Sequence, residues 1–382
     1  MDNLLTAVVV AAATIVTQQL LAAYNSFVDD PPTRLEKRRS KKRKRLLTPY
    51  KRNLSVRYSQ PTTNLETIPV LSNILQDVNR SYMKNTTHLH PWQFFILADR
   101  CKDFILRPRL RRDGTRPDRL GTKKAYHDHY HRLFFALKWL NDGVFFRTRE
   151  TEVGWGKSSI HDDCAHVLMA IIEGLHDQLQ WPDEDRRCEL ADVLKGVFKN
   201  CIGICDVKEF QVVKHQDRLN ERRTWSGEKI NSYKLLSVVD HTGRYTYVRV
   251  CLGKNDREVL TSSPLYLNEG EYFSDGEFLA ADGGFEGDGV LRSSYNNVGN
   301  DRNRQLFNLV FREVRTFAEN GYQRVGAWFP LLGNNKRKLP YTENIITLAI
   351  HAAVRLHNFI MNTENLSYSA LESPEMEYRQ YY

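Results

Sequence analysis

Residues 201–206 read CIGICD, and a second stretch of the same kind reads FLAADGG at residues 278–284. Each contains a short apolar run, and such runs are typical of buried strands. Each run ends in an aspartate, Asp206 in the first and Asp282 in the second, where the chain is expected to leave the strand. The two stretches therefore predict carboxylates at the ends of two buried strands.

A third carboxylate, Glu319, lies in a helical pattern over residues 302–329. The apolar stripe of this helix consists of Phe307, Val310, Phe311, Val314, Phe317 and Gly321. Glu319 lies beside the stripe, on the same flank as Arg312 and Arg315. Hard divalent cations bind all-oxygen sites, and two such ions can hold both the attacking and the leaving oxygen of a phosphodiester. If the fold brings Asp206, Asp282 and Glu319 together, metal-dependent cleavage of a phosphodiester is the expected chemistry.

The net charge of +9 on 382 residues is concentrated in two N-terminal blocks. Residues 34–45 carry nine Lys and Arg against one acid, and residues 102–132 carry ten against four. The rest of the chain is slightly acidic. The distribution therefore indicates an N-terminal region that binds polyanions, followed by a C-terminal region that binds metal. The six cysteines include no CxxC pair, so free thiols in a reducing compartment are expected rather than a zinc site or a disulfide framework.

Residues 3–28 contain no charged side chain and are long enough to span a membrane as a helix. Against a spanning helix, Gln18 and Gln19 lie in the middle of the stretch, and the positive segment of a signal peptide is missing. The sequence favours an ordinary helix, packed or self-associating. A membrane anchor through residues 3–28 is the alternative.

The basic block at residues 34–45 lies between Pro32 and Pro49. A run of like charge cannot bury itself, so a disordered tail is predicted to about residue 63. Its function is predicted to be nuclear localisation or phosphate binding, with a solvated tail as the alternative. The residues of the predicted nuclear localisation signal are Lys37, Arg38, Arg39, Lys41, Lys42, Arg43, Lys44 and Arg45.

Helical spacing dominates the region that follows. It predicts helices over 68–78, 92–105 and 126–141, and a further helix that opens at Lys157 with Ser158 or Ser159 as its N-cap. Room for a short helix and a turn before Lys157 gives the outline of a helix-turn-helix, and an ordinary helical domain is the alternative. Candidate DNA contacts are Lys157, Arg111 and Arg112. The histidines at 127, 129 and 131 are expected at the surface, without a metal.

Strand signals begin at Cys201 and continue over residues 232–239 and 245–251, which flank the hairpin turn DHTG at 240–243. A short helix over 256–262, the strand before Asp282 and helices over 302–329 and 342–362 follow. This order matches the ribonuclease H-like layout, in which the first and fourth strands lie side by side. The predicted fold is therefore an α/β, ribonuclease H-like mixed sheet with flanking helices. It is preceded by an all-α region resembling a helix-turn-helix and by a disordered basic tail.

The predicted divisions of the chain follow these patterns. An apolar helix and basic linker occupy residues 1–63, a helical region 64–200, the nuclease-like domain 201–362 and a tail 363–382.

Together these residues resemble the DDE endonuclease domain of PIF/Harbinger transposases and their domesticated nuclease relatives, from about Trp181 to Asn358. The segments that carry the resemblance are Gly203–Asp206, Trp225–Asp240, Gly253–Leu265, Leu279–Phe285, Arg312–Leu332 and Leu356–Phe359. Val207 and Lys208 stand where the family usually has Gly-Thr, but neither change removes a presumed metal ligand.

The resemblance implies that Asp206, Asp282 and Glu319 are catalytic and hold two Mg²⁺ or Mn²⁺ ions. It implies cleavage of double-stranded DNA at transposon ends, with strand transfer by the released 3′-hydroxyl as a further step. Lys208, Arg312 and Arg315 would then contact DNA phosphates. The resemblance also implies a Myb-like DNA-binding protein as a partner, and it leaves a homo-oligomer open.

Two other functions stay open at this point. One is a domesticated, catalytically inactive DNA-binding or protein-interaction module, which Val207 and Lys208 favour and the three intact carboxylates oppose. The other is a membrane-tethered protein, which rests on residues 3–28 alone. Asp256 is a secondary candidate for the metal site, with a helix N-cap as its alternative interpretation.

Overall fold

The computed structural model describes residues 80–107, 128–150, 156–194, 198–213, 225–226, 230–252, 254–281, 285, 289–295, 298–333 and 339–363. The predicted N-terminal helix, the basic block, the helix over 68–78 and the tail beyond residue 363 lie outside these residues. No helix in the part of the chain that the structure describes is long and apolar enough to cross a membrane.

Five α-helices precede the sheet within the described residues. They are α1 (Arg80–Thr87), α2 (Pro91–Leu106), α3 (His129–Asp142), α4 (Lys157–Gly174) and α5 (Glu184–Val193). Helix α3, predicted over 126–141, ends at Gly143, which adopts the left-handed conformation (φ 59°) and donates its N–H to the Trp139 carbonyl. At the other end of α3, the Asp128 carboxylate caps the helix by accepting from the His131 N–H at 2.9 Å.

Two sequence-based expectations for these helices are wrong. Helix α4 has Gly156 as its N-cap rather than Ser158 or Ser159. Both serines lie inside the first turn, where the Ser159 N–H already donates to the Gly156 carbonyl at 2.9 Å. His129 and His131 are buried, each with 7% exposure, because α3 begins at His129 and its first turn packs into the core.

In the part of the chain that the structure describes, six strands follow: β1 (Cys201–Gln211), β2 (Trp225–Ser226), β3 (Ile230–Val239), β4 (Tyr245–Leu252), β5 (Phe278–Ala281) and β6 (Leu291–Arg292). Five of them form a mixed sheet in the order β4-β3-β1-β5-β6, and the short β2 pairs with the start of β3. The pairs β4–β3 and β3–β1 are antiparallel, whereas β1–β5 and β5–β6 are parallel. This arrangement is a mixed α/β fold that agrees with the ribonuclease H-like layout.

Strand β1 is longer than the predicted run, which ended at Asp206. It continues to Gln211 because antiparallel pairing with β3 extends from Ile204 opposite Val239 to Gln211 opposite Ser232. Polar side chains interrupt the apolar run in this extension, so the apolar pattern alone does not predict it.

The two faces of the sheet bury two separate apolar clusters. On one face, Ile204 and Phe210 of β1 and Ala280 of β5 join a large cluster that includes Phe311 of the long C-terminal helix. On the other face, the neighbouring residues Cys205, Leu236, Leu279 and Ala281 join a smaller cluster with Val259 and Leu260. Side chains alternate along a strand, so adjacent residues point to opposite faces.

The described residues in this part of the chain also form six α-helices. They are α6 (Asp256–Thr261), α7 (Pro264–Leu267), α8 (Glu269–Tyr272), α9 (Arg302–Trp328), α10 (Pro330–Gly333) and α11 (Glu343–Thr363). We call the two sides of the sheet the α9 face and the α6 face, after the helices that lie there. Helices α9 and α11 confirm the two long helices predicted over 302–329 and 342–362.

The upstream helices pack on the same core as the α9 face. Buried residues of α2, α3 and α4 belong to the large cluster, together with those of α11. The Gln93 amide donates to the Thr363 hydroxyl at 2.8 Å, and Trp139 Nε1 donates to the Tyr341 hydroxyl at 3.3 Å. The predicted boundary between residues 200 and 201 stays a prediction.

Candidate metal centre

Asp206 lies on β1 with its side chain on the α9 face. Ser237 of β3 is its partner across the strand pair. Two residues before Asp206, Ile204 belongs to the large cluster, so alternation directs the Asp206 carboxylate to the same side. The side chain of Asp206 is 16% exposed. The carboxylate is therefore shielded but reachable from solvent.

Helix α9 brings one of its faces to Asp206. The Arg315 Nη2 atom lies 4.0 Å from Asp206 Oδ1, and the Tyr322 hydroxyl donates to the main-chain oxygen of Asp206 at 3.0 Å. Positions 315, 319 and 322 follow the i, i+4, i+7 spacing of one helical stripe. Glu319, which is exposed, therefore lies between two residues that contact Asp206.

The position of α9 depends on a close approach to the β3–β4 turn. A Cβ atom on Gly321 would lie 3.2 Å from the Gly243 carbonyl oxygen and 3.4 Å from the Tyr245 hydroxyl. Gly243 itself has φ of +85°, which favours glycine and confirms the hairpin turn predicted over 240–243. Glycine at 321 therefore lets the helix lie against the hairpin.

Tyr322 and Ser237 were not among the residues predicted from sequence. The Tyr322 Oη atom is 2.8 Å from Ser237 Oγ, so one phenol contacts both members of the strand pair. The spacing of three residues between Glu319 and Tyr322 is a signal that could have placed Tyr322 on the same helical face. The contact of Ser237 depends on the register of β3, which the sequence does not reveal.

Burial sets the protonation of the phenols near Asp206. It raises the pKa of Tyr322 well above its usual value, and the negative charge of Asp206 raises it further. The pKa of Tyr245 is also raised by burial and by Asp206. Both phenols are therefore neutral at physiological pH, and Tyr322 can act as a hydrogen-bond donor.

Asp282, the second predicted ligand, lies outside the described residues. Its neighbours are described up to Ala281. Strand β5 runs parallel to β1, with Ala280 opposite Ile204 and Ala281 opposite Cys205. Asp282 follows Ala281 in the sequence just as Asp206 follows Cys205.

The residues predicted to bind DNA are distributed over several elements. Lys208 lies on β1 with its Nζ atom 6.0 Å from the centroid of the Tyr322 ring, so it borders the same site. Arg312 is exposed on α9, whereas Arg315 reaches Asp206. Lys157 is the exposed first residue of α4. Arg111, Arg112 and the predicted nuclear localisation signal lie outside the described residues.

Asp256 lies on the other side of the sheet. Its carboxylate is 2.9 Å from Lys234 Nζ, which is also 3.8 Å from Glu209 Oε2. Lys234 alternates with Leu235 of the large cluster and therefore points to the α6 face. Asp256 is not the N-cap of α6 either, because Asn255 caps that helix. Both interpretations of Asp256 are wrong, and its partner is Lys234.

The chemistry of the site fits a hard divalent cation. Asp206 presents a carboxylate on the α9 face, and Glu319 lies on the adjoining helical stripe. Within the described residues, no group of three or more His, Cys, Asp and Glu side chains is close enough to hold a metal ion. Asp282 lies outside those residues.

Comparison with known proteins identifies the region that contains this site. No curated protein and no solved structure matches the chain. Residues 205–358, about two fifths of the 382-residue chain, match the family model described as DDE superfamily endonuclease. The matched span contains Asp206, Asp282 and Glu319. This part of the chain is therefore similar to the endonuclease domains of that superfamily, which indicates a transposase-like nuclease.

Proposed function

We propose that this chain is a metal-dependent DNA endonuclease in which Asp206, Asp282 and Glu319 hold divalent cations. The approach of α9 to β1 carries the proposal, since Arg315 and Tyr322 flank Glu319 and both contact Asp206. The match of residues 205–358 to the DDE superfamily endonuclease model supports it independently.

The register of the sheet supports including Asp282. Neighbouring strands lie about 4.8 Å apart, and Ala281 is the partner of Cys205. Ala280 belongs to the large cluster on the α9 face, and Ala281 belongs to the cluster on the opposite face. Asp282 follows Ala281 directly in the sequence, as Asp206 follows Cys205, and this register supports Asp282 as the third ligand.

The proposed division of labour follows from the positions of the side chains. Bound divalent cations would activate a water molecule and stabilise the leaving oxygen of a phosphodiester. Asp206 and Glu319 would hold the cations from two different elements. Exposed Arg312 and the nearby Lys208 would bind DNA phosphates on either side of the carboxylates.

The narrower features of this proposal come from the sequence. We propose a PIF/Harbinger-type activity on double-stranded DNA at transposon ends, with two Mg²⁺ or Mn²⁺ ions and with strand transfer as a second step. The helical region would contact DNA through Lys157, Arg111 and Arg112. A Myb-like partner protein, a nuclear location through the basic block at 37–45 and a homo-oligomer complete the proposal. Membrane anchoring through residues 3–28 is the alternative location.

Nicking of supercoiled plasmid by the full chain tests the proposed activity. We expect cleavage with Mg²⁺ or Mn²⁺ and none with EDTA. Replacing one ligand, by Asp206→Asn, Asp282→Asn or Glu319→Gln, should reduce cleavage at least about 100-fold, because a metal ion contributes several kcal/mol and each 1.36 kcal/mol is tenfold in rate.

Glu313→Gln is the matched control for this experiment. Glu313 is exposed on the same helix as Glu319, but six residues earlier and on a different side of α9. The control should cleave like the wild type. DNA binding without metal-dependent nicking would instead support the inactive-module alternative, and equal loss in both glutamate variants would contradict a specific contribution of Glu319.

A further inference from the structure

The Tyr322 hydroxyl forms a hydrogen-bonded bridge from α9 to strands β1 and β3. On β1 the bridge reaches Asp206, the first candidate metal ligand. The Tyr322 hydroxyl lies 3.0 Å from the Asp206 main-chain oxygen and 2.8 Å from Ser237 Oγ. A phenol has one proton to donate, and a carbonyl oxygen only accepts. Tyr322 therefore donates to Asp206, and the Ser237 hydroxyl donates to Tyr322.

The bridge lies one helical turn from Glu319. Residues three apart on a helix are neighbours on its surface, so the position of Tyr322 sets the position of Glu319. The same bond holds the backbone of Asp206 rather than its carboxylate. The carboxylate oxygens of Asp206 are thus left to other partners, which include Arg315 at 4.0 Å.

We propose that Tyr322 is a positioning residue whose hydroxyl fixes the separation of Asp206 and Glu319 and so tunes the affinity of the site for divalent cations. This inference rests on the proposed function, since it assumes that the two carboxylates share a metal site. Tyr322 acts through main-chain and side-chain hydrogen bonds and does not itself bind the metal or the DNA.

A second tyrosine separates the contribution of the hydroxyl from that of the ring. Tyr245 is 2% exposed, its ring centroid is 6.1 Å from that of Tyr322, and its hydroxyl has no hydrogen-bond partner among the described residues. Both rings pack in the core between the sheet and α9, but the Tyr322 hydroxyl forms the bridge. Tyr322→Phe therefore removes a hydroxyl that forms hydrogen bonds, whereas Tyr245→Phe removes a hydroxyl that forms none among the described residues.

Two measurements on the full chain test this inference. The first is the Mn²⁺ concentration for half-maximal plasmid nicking, and the second is Mn²⁺ binding followed by electron paramagnetic resonance without DNA. Loss of a group that orients a metal ligand typically weakens metal affinity or activity 10- to 100-fold. We expect Tyr322→Phe to raise both Mn²⁺ values by about tenfold or more and Tyr245→Phe to leave them unchanged. Ser237→Ala should shift them in the same direction as Tyr322→Phe, but less.

The outcomes distinguish the two levels of the account. Wild-type cleavage with an unchanged Mn²⁺ requirement in Tyr322→Phe would overturn the positioning inference alone. An equal shift in Tyr322→Phe and Tyr245→Phe would also overturn it, because the effect would then come from packing. Absence of wild-type nicking would overturn the proposed function, while tighter Mn²⁺ binding by wild type than by Tyr322→Phe would still support positioning. Absence of Mn²⁺ binding by wild type would overturn both.

Discussion

The guanidinium of Arg315 moderates the charge of Asp206 without replacing a metal ion. Its Nη2 atom is 4.0 Å from Asp206 Oδ1, and 27% of the Arg315 side chain is exposed. Ion pairs near the surface contribute at most about 1 kcal/mol, because solvent screens them. A divalent cation coordinated directly by the carboxylate would contribute several kcal/mol, so binding of the cation can displace this contact.

At the residue scale, His357 is predicted to make stability depend on pH. It is fully buried in α11 between the rings of Tyr245 and Trp328, and burial lowers its pKa to about 4 from 6.5. The pKa of His357 is lower in the folded state than in the unfolded state. The free energy of unfolding therefore keeps its full value above pH 6.5, where the imidazole is neutral in both states, and it falls as the pH decreases toward 4. The loss reaches about 1.4 kcal/mol per pH unit.

Urea unfolding between pH 7 and pH 4.5 measures this effect. The acid side of the stability curve should be shallower in His357→Gln than in the wild type, since glutamine does not titrate. His176→Gln removes an exposed histidine and should keep the wild-type slope. Identical slopes in His357→Gln and wild type would show that the buried imidazole is not the group responsible.

At the scale of elements, Asn358 of α11 holds the start of β4. Its Oδ1 atom accepts from the Tyr245 N–H at 3.0 Å, and its Nδ2 atom donates to the carbonyls of Tyr245 at 2.7 Å and Gln178 at 2.6 Å. One amide thus satisfies three main-chain groups at a place where β4 emerges from the β3–β4 turn. The Leu356–Phe359 segment, recognised in the sequence by resemblance, has a structural explanation in these bonds.

Replacing this amide should destabilise the fold strongly. Asn358→Ala leaves three main-chain polar groups without their partner, and buried groups of this kind cost about 1–3 kcal/mol each when unsatisfied. We expect a loss of roughly 2–4 kcal/mol in the free energy of unfolding, since water can reach part of the site. Chemical denaturation measures the loss.

Asn362→Ala provides the comparison for that prediction. Asn362 lies one turn later on α11, and its amide donates to the Gln178 side chain at 2.6 Å. This partly buried contact between side chains should be worth less than about 1 kcal/mol. A similar loss in the free energy of unfolding in both variants would show that the main-chain hydrogen bonds of Asn358 stabilise the fold no more than the side-chain contact of Asn362.

Elements with a clear apolar period could be predicted from the sequence, and elements defined by their partners could not. The strand signals over residues 232–239 and 245–251 and the turn DHTG at 240–243 predicted the β3–β4 hairpin, because these signals are local. Strand β6, by contrast, has only two residues, and it exists because Leu291 pairs with Leu279. The extension of β1 beyond Asp206 likewise depends on pairing with β3.

In the candidate site, too, positions along one helix could be predicted from the sequence, whereas contacts between different elements could not. The sequence placed Arg315 beside Glu319, since both lie on one helix. It assigned Arg315 to DNA phosphate, but the structure places it 4.0 Å from Asp206, a contact that depends on how α9 docks. The contribution of Ser237 depends on the register of β3 opposite Asp206.

At the scale of the whole molecule, the sheet positions the Asp206 carboxylate on a face that is also the main core. Helices α9 and α11 cover this face, and the helices α2–α4 pack against the same cluster. A carboxylate on such a face is expensive unless it is hydrogen-bonded or neutralised, and Asp206 lies near the edge where Glu319 and Arg312 are exposed. Asp206 is thus a partly exposed carboxylate beside an apolar core, with the Arg315 guanidinium as a nearby opposite charge.

Crystals soaked in Mn²⁺ test whether Asp206, Asp282 and Glu319 converge on shared cations. Anomalous difference density should show manganese within about 2.0–2.6 Å of carboxylate oxygens from all three residues in the wild type. It should be lost or much reduced in Asp206→Asn. Manganese bound elsewhere, or a wild-type crystal in which the three carboxylates share no ion, would contradict the account.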